Sequence, residues 1–399
     1  MSKIKTPIFM DYQSTTPVDP RVLEAMLPCF TEQFGNAASR NHPFGWDAEK
    51  LVNHGRAQIA EMIHASAKEI VFTSGATESN NIAIKGAFEI YKQKGNHIIT
   101  QVTEHKAVLD TCHYLETLGA KVTYLPVDHH GRISLDDLNK AITPKTILVS
   151  IMYANNEIGT LQPIAEIGHI AKIEHVLFHV DAAQAAGRIP IDVEKLGIDL
   201  MSISAHKMYG PKGIGVLYVR EKNPHVRVAP VIHGGGHERG MRSGTLNVPS
   251  IVGFGKACEI AKKEMKAESE RLTKLRDHLL EGIKKNLDEV QLNGHPSERL
   301  CNNLNLSFRY AESESLMKAL CAEVAVSSGS ACSTGNPEPS HVLKALNIPE
   351  DRVQSSIRFG LGRYTTEEEI DFVIERVTKL VTLLRKVSPL YAAHKAVKS

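Results

Sequence analysis

Between about residues 65 and 220 the chain passes again and again from a short β-rich run to a helical pattern, and this alternation constrains the fold more than any other feature. Residues 69–73 read as a strand and 77–94 as a helix, with Ile82, Gly86 and Ile90 on one face. Further strands are expected at 97–102, 121–127, 146–152, 177–181, 200–204 and 214–219. One helix between them opens at Ser134, with Asp137 in the position of a capping-box variant. Strands alternating with helices build a mainly parallel sheet covered on both faces. An α/β fold with a seven-stranded sheet is therefore expected, its catalytic groups on the loops that leave the strand C-termini.

Beyond this region a long charged helix is expected at 256–287, where Leu272, Leu275, Leu279, Ile283 and Leu287 keep helical spacing. A smaller α+β segment follows, with strands at 303–308 and 356–361 and a helix at 313–321. A last helix is expected to open at Thr365, with Glu368 completing a capping box. The expected partition is a large domain over 16–260 and a small domain made of 1–15 and 261–399. The small domain would carry a mobile loop at about 327–340, rich in Ser, Gly and Pro.

Composition excludes several classes of function. Lys plus Arg number 47 against 45 for Asp plus Glu, a balance that speaks against a general nucleic-acid or membrane-surface binder. The six cysteines, Cys29, Cys112, Cys258, Cys301, Cys321 and Cys332, form no Cys-x-x-Cys pair, which argues against a zinc ribbon or a thioredoxin-like site. Residues 1–7 hold no apolar signal core, and no run of 18 apolar residues occurs. The expectation is a cytoplasmic protein with reduced thiols, no membrane contact and no intrinsic metal.

Several side chains sit where chemistry is expected. Ser74-Gly75-Ala76-Thr77 joins a strand to a helix, which reads either as a plain turn with a Thr cap or as an anion cradle of free N–H groups. Asp181 ends a strand, with Gln184 just beyond; the carboxylate either caps the next turn or pairs with a protonated ring nitrogen. Lys207, in Ser204-Ala-His-Lys-Met-Tyr-Gly210, follows another strand. A lysine held in a buried site loses its charge and forms Schiff bases, and Ser204 and His206 are placed to contact a phosphate beside it. His105 is expected to end the strand before a helix, at an edge suited to stacking on an aromatic ring and moving protons, or else to be purely structural. Cys332 is flanked by small residues and reads as an exposed nucleophile or an inert surface thiol, while the other five cysteines read as small hydrophobes. Arg358 is either a carboxylate clamp or a structural ion-pair partner.

These motifs together resemble the cysteine desulfurases of the IscS/NifS group, within the class V, fold-type I pyridoxal-phosphate enzymes, and most closely the housekeeping IscS type. The resemblance runs from about residue 8 to about 390. It is carried by Asp11-Tyr-Gln-Ser-Thr-Thr-Pro17, Phe34-Gly-Asn36, Thr73-Ser-Gly-Ala-Thr-Glu78, Thr103-Glu-His-Lys-Ala-Val-Leu-Asp110 and Asn155-Asn-Glu-Ile-Gly159, then by 204–213, 233–245 and 327–332. It implies that Lys207 holds pyridoxal 5'-phosphate, that His105 stacks on the ring as acid and base, and that Asp181 and Gln184 contact the ring nitrogen and phenolic oxygen. It assigns the phosphate to Ala76, Thr77, Ser204 and His206, with Thr245 supplied by the second subunit of a homodimer. Asn156 and Arg358 would hold the carboxylate of L-cysteine. Cys332 would take the sulfur as a persulfide, leaving alanine, and pass it to an iron–sulfur scaffold protein and other acceptors, including those of tRNA thiolation. Cys332 would also be able to ligate, transiently, a cluster shared with that scaffold. Housekeeping relatives carry a tail with a Trp and paired His residues; here the only Trp is Trp46 and the sequence ends at Ser399, so weaker scaffold docking is expected.

Overall fold

The computed structural model describes residues 4–328 and 339–398. A short strand, β1 (Ile8–Phe9), precedes seven that share one sheet: β2 (Ile70–Thr73), β3 (His97–Gln101), β4 (Lys121–Leu125), β5 (Thr146–Ser150), β6 (Leu177–Asp181), β7 (Leu200–Ser204) and β8 (Gly215–Val219). Their spatial order is β2-β8-β7-β6-β5-β3-β4. Only β8 runs against its neighbours, β2 and β7; the remaining pairs are parallel. The seven-stranded, mainly parallel sheet expected from the alternation is thus present. Its central strands are buried along their whole length because helices cover both faces.

Three further strands, β9 (Val290–Asn293), β10 (Asn303–Phe308) and β12 (Ser356–Gly360), form an antiparallel sheet in the order β12-β10-β9. Between them in sequence, β11 (Val324–Ala325) pairs in parallel with β1. This half has its own apolar core, including Leu304, Leu306, Ile357 and Phe359, closed by Leu272, Leu275, Leu279 and Ile283. Those last four lie on the helix Val248–Asn286, whose first turns instead bury Val248, Ile251, Phe254 and Cys258 in the core of the large sheet. One helix therefore packs into both cores.

That helix starts earlier than the expected 256. Asn247 caps it through the Ser250 N–H, and its opening turns are small or apolar on several faces, so no amphipathic stripe announces them. The last expected capping box is displaced by one residue. Thr366 caps the helix Glu367–Lys386 and Glu369 reciprocates, while the Thr365 hydroxyl accepts the Gly362 N–H inside the preceding turn. A further helix, Pro389–Lys398, was not expected; Tyr391 anchors it against Tyr310 and Asp288.

The two cores are riveted by buried charge. Glu268, on the long helix, takes Arg188 at 2.5 Å and Arg363 at 2.8 Å, and Arg363 reaches Asp19 at 2.6 Å. These side chains are at most 14 % exposed, so removing one partner strands a buried charge at a cost of about 3–5 kcal/mol.

Candidate active site

The loops that leave the C-terminal ends of β2, β3, β5, β6 and β7 open onto one cavity of about 730 Å³. Ten of the expected site residues line it: Ala76, Thr77, His105, Asn156, Asp181, Gln184, Ser204, His206, Lys207 and Arg358. They come from segments up to 282 residues apart in sequence: nine sit at or just after strand ends of the large sheet, because parallel strands deliver their following loops to one edge, and Arg358 comes from the smaller sheet.

At one end lies the start of the helix Ala76–Tyr91. Its cap is Gly75, which offers no side-chain acceptor, so the first-turn N–H groups face the cavity and its positive dipole end points there. The approach is close: a Cβ on Gly215 would fall 2.6 Å from the Gly75 Cα. Ser204 lies on the adjoining strand end. Beside it, His206 Nδ1 is 3.0 Å from the Thr15 hydroxyl. Burial, helped by the positive charges of Lys207 and Lys212, pushes the His206 imidazole down to about 4, so it is neutral near pH 7.

Asp181 also lines the cavity, at the end of β6 and 6 % exposed. Its two oxygens are fixed by the Asn80 side-chain amide at 2.7 Å and the Ala183 N–H at 2.9 Å. Lys207 sits on a single 3-10 turn after β7, its Nζ donating to the carbonyls of Gln13 at 2.5 Å and Ser14 at 2.9 Å. The Gln13 carbonyl also accepts from Gln184 Nε2 at 2.9 Å. His105 does not end a strand, as expected, but caps the helix Lys106–Thr117. Its Nδ1 accepts the Ala107 N–H, which leaves Nε2 as the protonated nitrogen of the neutral ring.

The opposite wall comes from the smaller sheet. Arg358, on β12, donates to the Asn156 carbonyl at 2.9 Å, Ser14 Oγ at 2.8 Å and Asp11 Oδ1 at 2.7 Å. Next to Asn156, the Glu157 carboxylate is buried and accepts from Ser340 Oγ at 2.5 Å. Burial pushes Glu157 up, against the lowering pull of the Ser340 hydroxyl and of nearby His341, Arg358 and His105.

One expected residue is not brought to this cavity. Thr245 is exposed on the loop 233–245 and does not line it. That loop is pinned by Glu238, which pairs with Arg56 and accepts the Phe72 N–H, and by Arg242 on Glu78. Cys332 lies outside the described residues. Among the other cysteines, Cys29, Cys112 and Cys258 are buried as expected, but Cys321 is exposed; it follows the helix Ser313–Leu320 and its thiol donates to the Lys318 carbonyl. Residues that the sequence reading gave no role also shape the site. Asn80 orients Asp181, and Gln13, Ser14 and Asp11 hold Lys207 and Arg358. An Asn inside a helix carries no signal of such a task, whereas the Asp11–Pro17 motif marks the segment without revealing what it touches.

The residues fit pyridoxal phosphate. An uncapped helix N-terminus suits its phosphate, a buried carboxylate in the same cavity suits its ring nitrogen, and a lysine amine beside them in that cavity suits its aldehyde. Among the described residues no cluster of His, Cys, Asp and Glu is arranged to hold a metal ion, and no helix is long and apolar enough to cross a membrane.

Comparison with known proteins agrees with this geometry. The Aminotransferase class-V family matches residues 8–373. The cysteine desulfurase IscS of Anaeromyxobacter sp. (strain K) is 57% identical over 388 residues, covering 97% of this chain and 96% of that protein. The cysteine desulfurase IscS of Rickettsia massiliae (strain Mtu5) is 54% identical over 391 residues, covering 98% and 95%. Among solved structures, a NifS-like protein superposes with a TM-score of 0.88 at 39% identity, over 94% of this chain and 99% of its own. SspA in complex with cysteine gives 0.80 at 38% identity, over 90% and 100%.

Proposed function

Because the chain belongs to the class-V aminotransferase family, and within it to the pyridoxal-phosphate-dependent cysteine desulfurases of the IscS type, we propose that the cavity described above is where it takes sulfur from L-cysteine. Bound pyridoxal phosphate supplies an electron sink for the pair left at the substrate α-carbon. Lys207 would hold the cofactor through its amine. The N–H groups at Ala76 and Thr77, with Ser204 and His206, bind the phosphate, and Thr245 from a second copy completes that contact. Asp181 keeps a proton on the ring nitrogen, and Gln184 donates to the phenolic oxygen. Asn156 and Arg358 orient the substrate by its carboxylate. His105 stacks on the ring and moves protons through Nε2.

The Cys332 thiolate then attacks the substrate sulfur. An S–S bond forms as the C–S bond breaks, and the pair from that bond stays on the substrate, ending as the new C–H bond of alanine. The observation that carries this reading is the convergence of Lys207, Asp181, a helix N-terminus and Arg358 on one cavity.

The same reading extends to a two-domain enzyme, large domain 16–260 and small domain 1–15 plus 261–399, acting as a cytoplasmic homodimer. It delivers persulfide sulfur to an iron–sulfur scaffold and to other acceptors, such as those of tRNA thiolation. The test is direct: purified protein incubated with cysteine and a reductant yields alanine and sulfide in equal amounts. An absolute requirement for a keto-acid acceptor would instead make it an aminotransferase.

A further inference from the structure

Residues 8–12 form a strap between two strands. Ile8 and Phe9 pair with Val324 and Ala325, the Met10 N–H donates to the Ala325 carbonyl at 2.9 Å, and the Gly360 N–H donates to the Met10 carbonyl at 2.8 Å. Side chains alternate along such a segment. Met10 and Tyr12 are buried, and Asp11 lines the cavity.

There Asp11 Oδ1 accepts from Arg358 at 2.7 Å; the Asp11 side chain is 20% exposed and that of Arg358 3%. The same guanidinium nitrogen also donates to Ser14 Oγ, and its neighbour to the Asn156 carbonyl. Arg358 Nε is buried with no partner among the described residues. The group read above as the grip for the substrate carboxylate thus already carries a carboxylate and keeps one donor in reserve.

We infer that Asp11 is a positioning residue for the desulfurase reaction: a resident counterion that holds Arg358 in place between turnovers and competes for it with the α-carboxylate of substrate and product. The inference rests on the reading of Arg358 as the carboxylate grip. Its chemical reason is symmetry between the two ligands. Cysteine and alanine present the same carboxylate, so a guanidinium without a resident anion would hold both tightly and release alanine slowly. A buried cation left alone between turnovers would also be costly. Asp11 meets both needs, neutralising the empty grip and weakening it for the product.

The test is a calorimetric titration of the cofactor-loaded protein with L-alanine. Asp11→Asn keeps an oxygen for the guanidinium but removes the charge, and it should bind alanine about 1.5- to fivefold more tightly, the range for one charge pair at a partly exposed site. The KM for cysteine should fall with it, and kcat should not rise. Asp11→Glu, which keeps the charge, should return towards the wild-type affinity; a purely structural strap residue would instead weaken binding in every variant. Should Asp11→Asn fail to load cofactor, Asp11→Ser removes the same charge and is compared in its place. Alanine affinity unchanged or weakened by loss of the Asp11 charge, while Arg358→Ala weakens it, overturns the counterion role and leaves the grip standing. Alanine affinity unchanged in Arg358→Ala overturns the grip and the inference together.

Discussion

Glu104 offers a sharp test of how the site is held. It is wholly buried beside His105, with Oε1 accepting the Met152 N–H at 2.6 Å and the Gln101 side-chain amide at 2.9 Å. Burial, reinforced by the negative charge of Asp181 and opposed by those two donors, pushes its carboxyl up to about 8 from an ordinary 4.5. The native protein therefore keeps a proton that the unfolded chain has already released. The stabilisation from this group is fully present below about pH 4.5 and is lost as the pH rises towards about 8. At about 1.4 kcal/mol per pH unit, the loss across that window is on the order of 5 kcal/mol. Glu104→Gln has no such proton. Its unfolding free energy, measured by urea titration at pH values between about 5 and 8, should gain on the wild type by about 1.4 kcal/mol per unit of pH. The offset at any one pH contains altered hydrogen bonding, but the slope reports the proton. Parallel curves for the two proteins would refute a neutral Glu104. The same proton has a functional meaning, since it keeps a second negative charge away from Asp181.

Other outcomes follow from the proposed chemistry. The cofactor-loaded protein should be yellow, borohydride should fix the cofactor to the peptide carrying Lys207, and Lys207→Ala should make no alanine; label on another peptide would end that assignment. Cys332→Ser should still bind cofactor and cysteine yet form no persulfide, and near-normal desulfuration by it would reject Cys332 as the sulfur acceptor. Arg358→Ala should weaken cysteine binding by about 1.5–3 kcal/mol, the worth of a hydrogen bond to a charged group; an unchanged Michaelis constant would mark the arginine as structural.

The alternation of strand and helix patterns was enough to foresee the seven-stranded sheet, because parallel strands covered on both faces are written as compact apolar runs. β6 and β7 match their expected limits to the residue. What stayed hidden was short or locally patternless. β1 and β11 are two residues each and exist only because they pair with one another. The first turns of the long helix bury several faces at once and so lack a stripe. At the site, Asp181 and Lys207 were legible from their places at and just after strand ends, and Arg358 from its residue type alone. Asn80, Gln13 and Asp11 were not, because what they do depends on contacts made across 101, 194 and 347 residues of sequence.

The helix Val248–Asn286 has a consequence of its own. Over 39 residues it is about 58 Å long and turns through about 100° per residue. Its early face meshes with the sheet that bears Lys207, and its late face with the sheet that bears Arg358. The two walls of the cavity are thus indexed to each other like teeth on one shaft. Adding a single residue between Ala261 and Leu272 would put the two sets of teeth about 100° out of phase, although no side chain in the cavity had been touched.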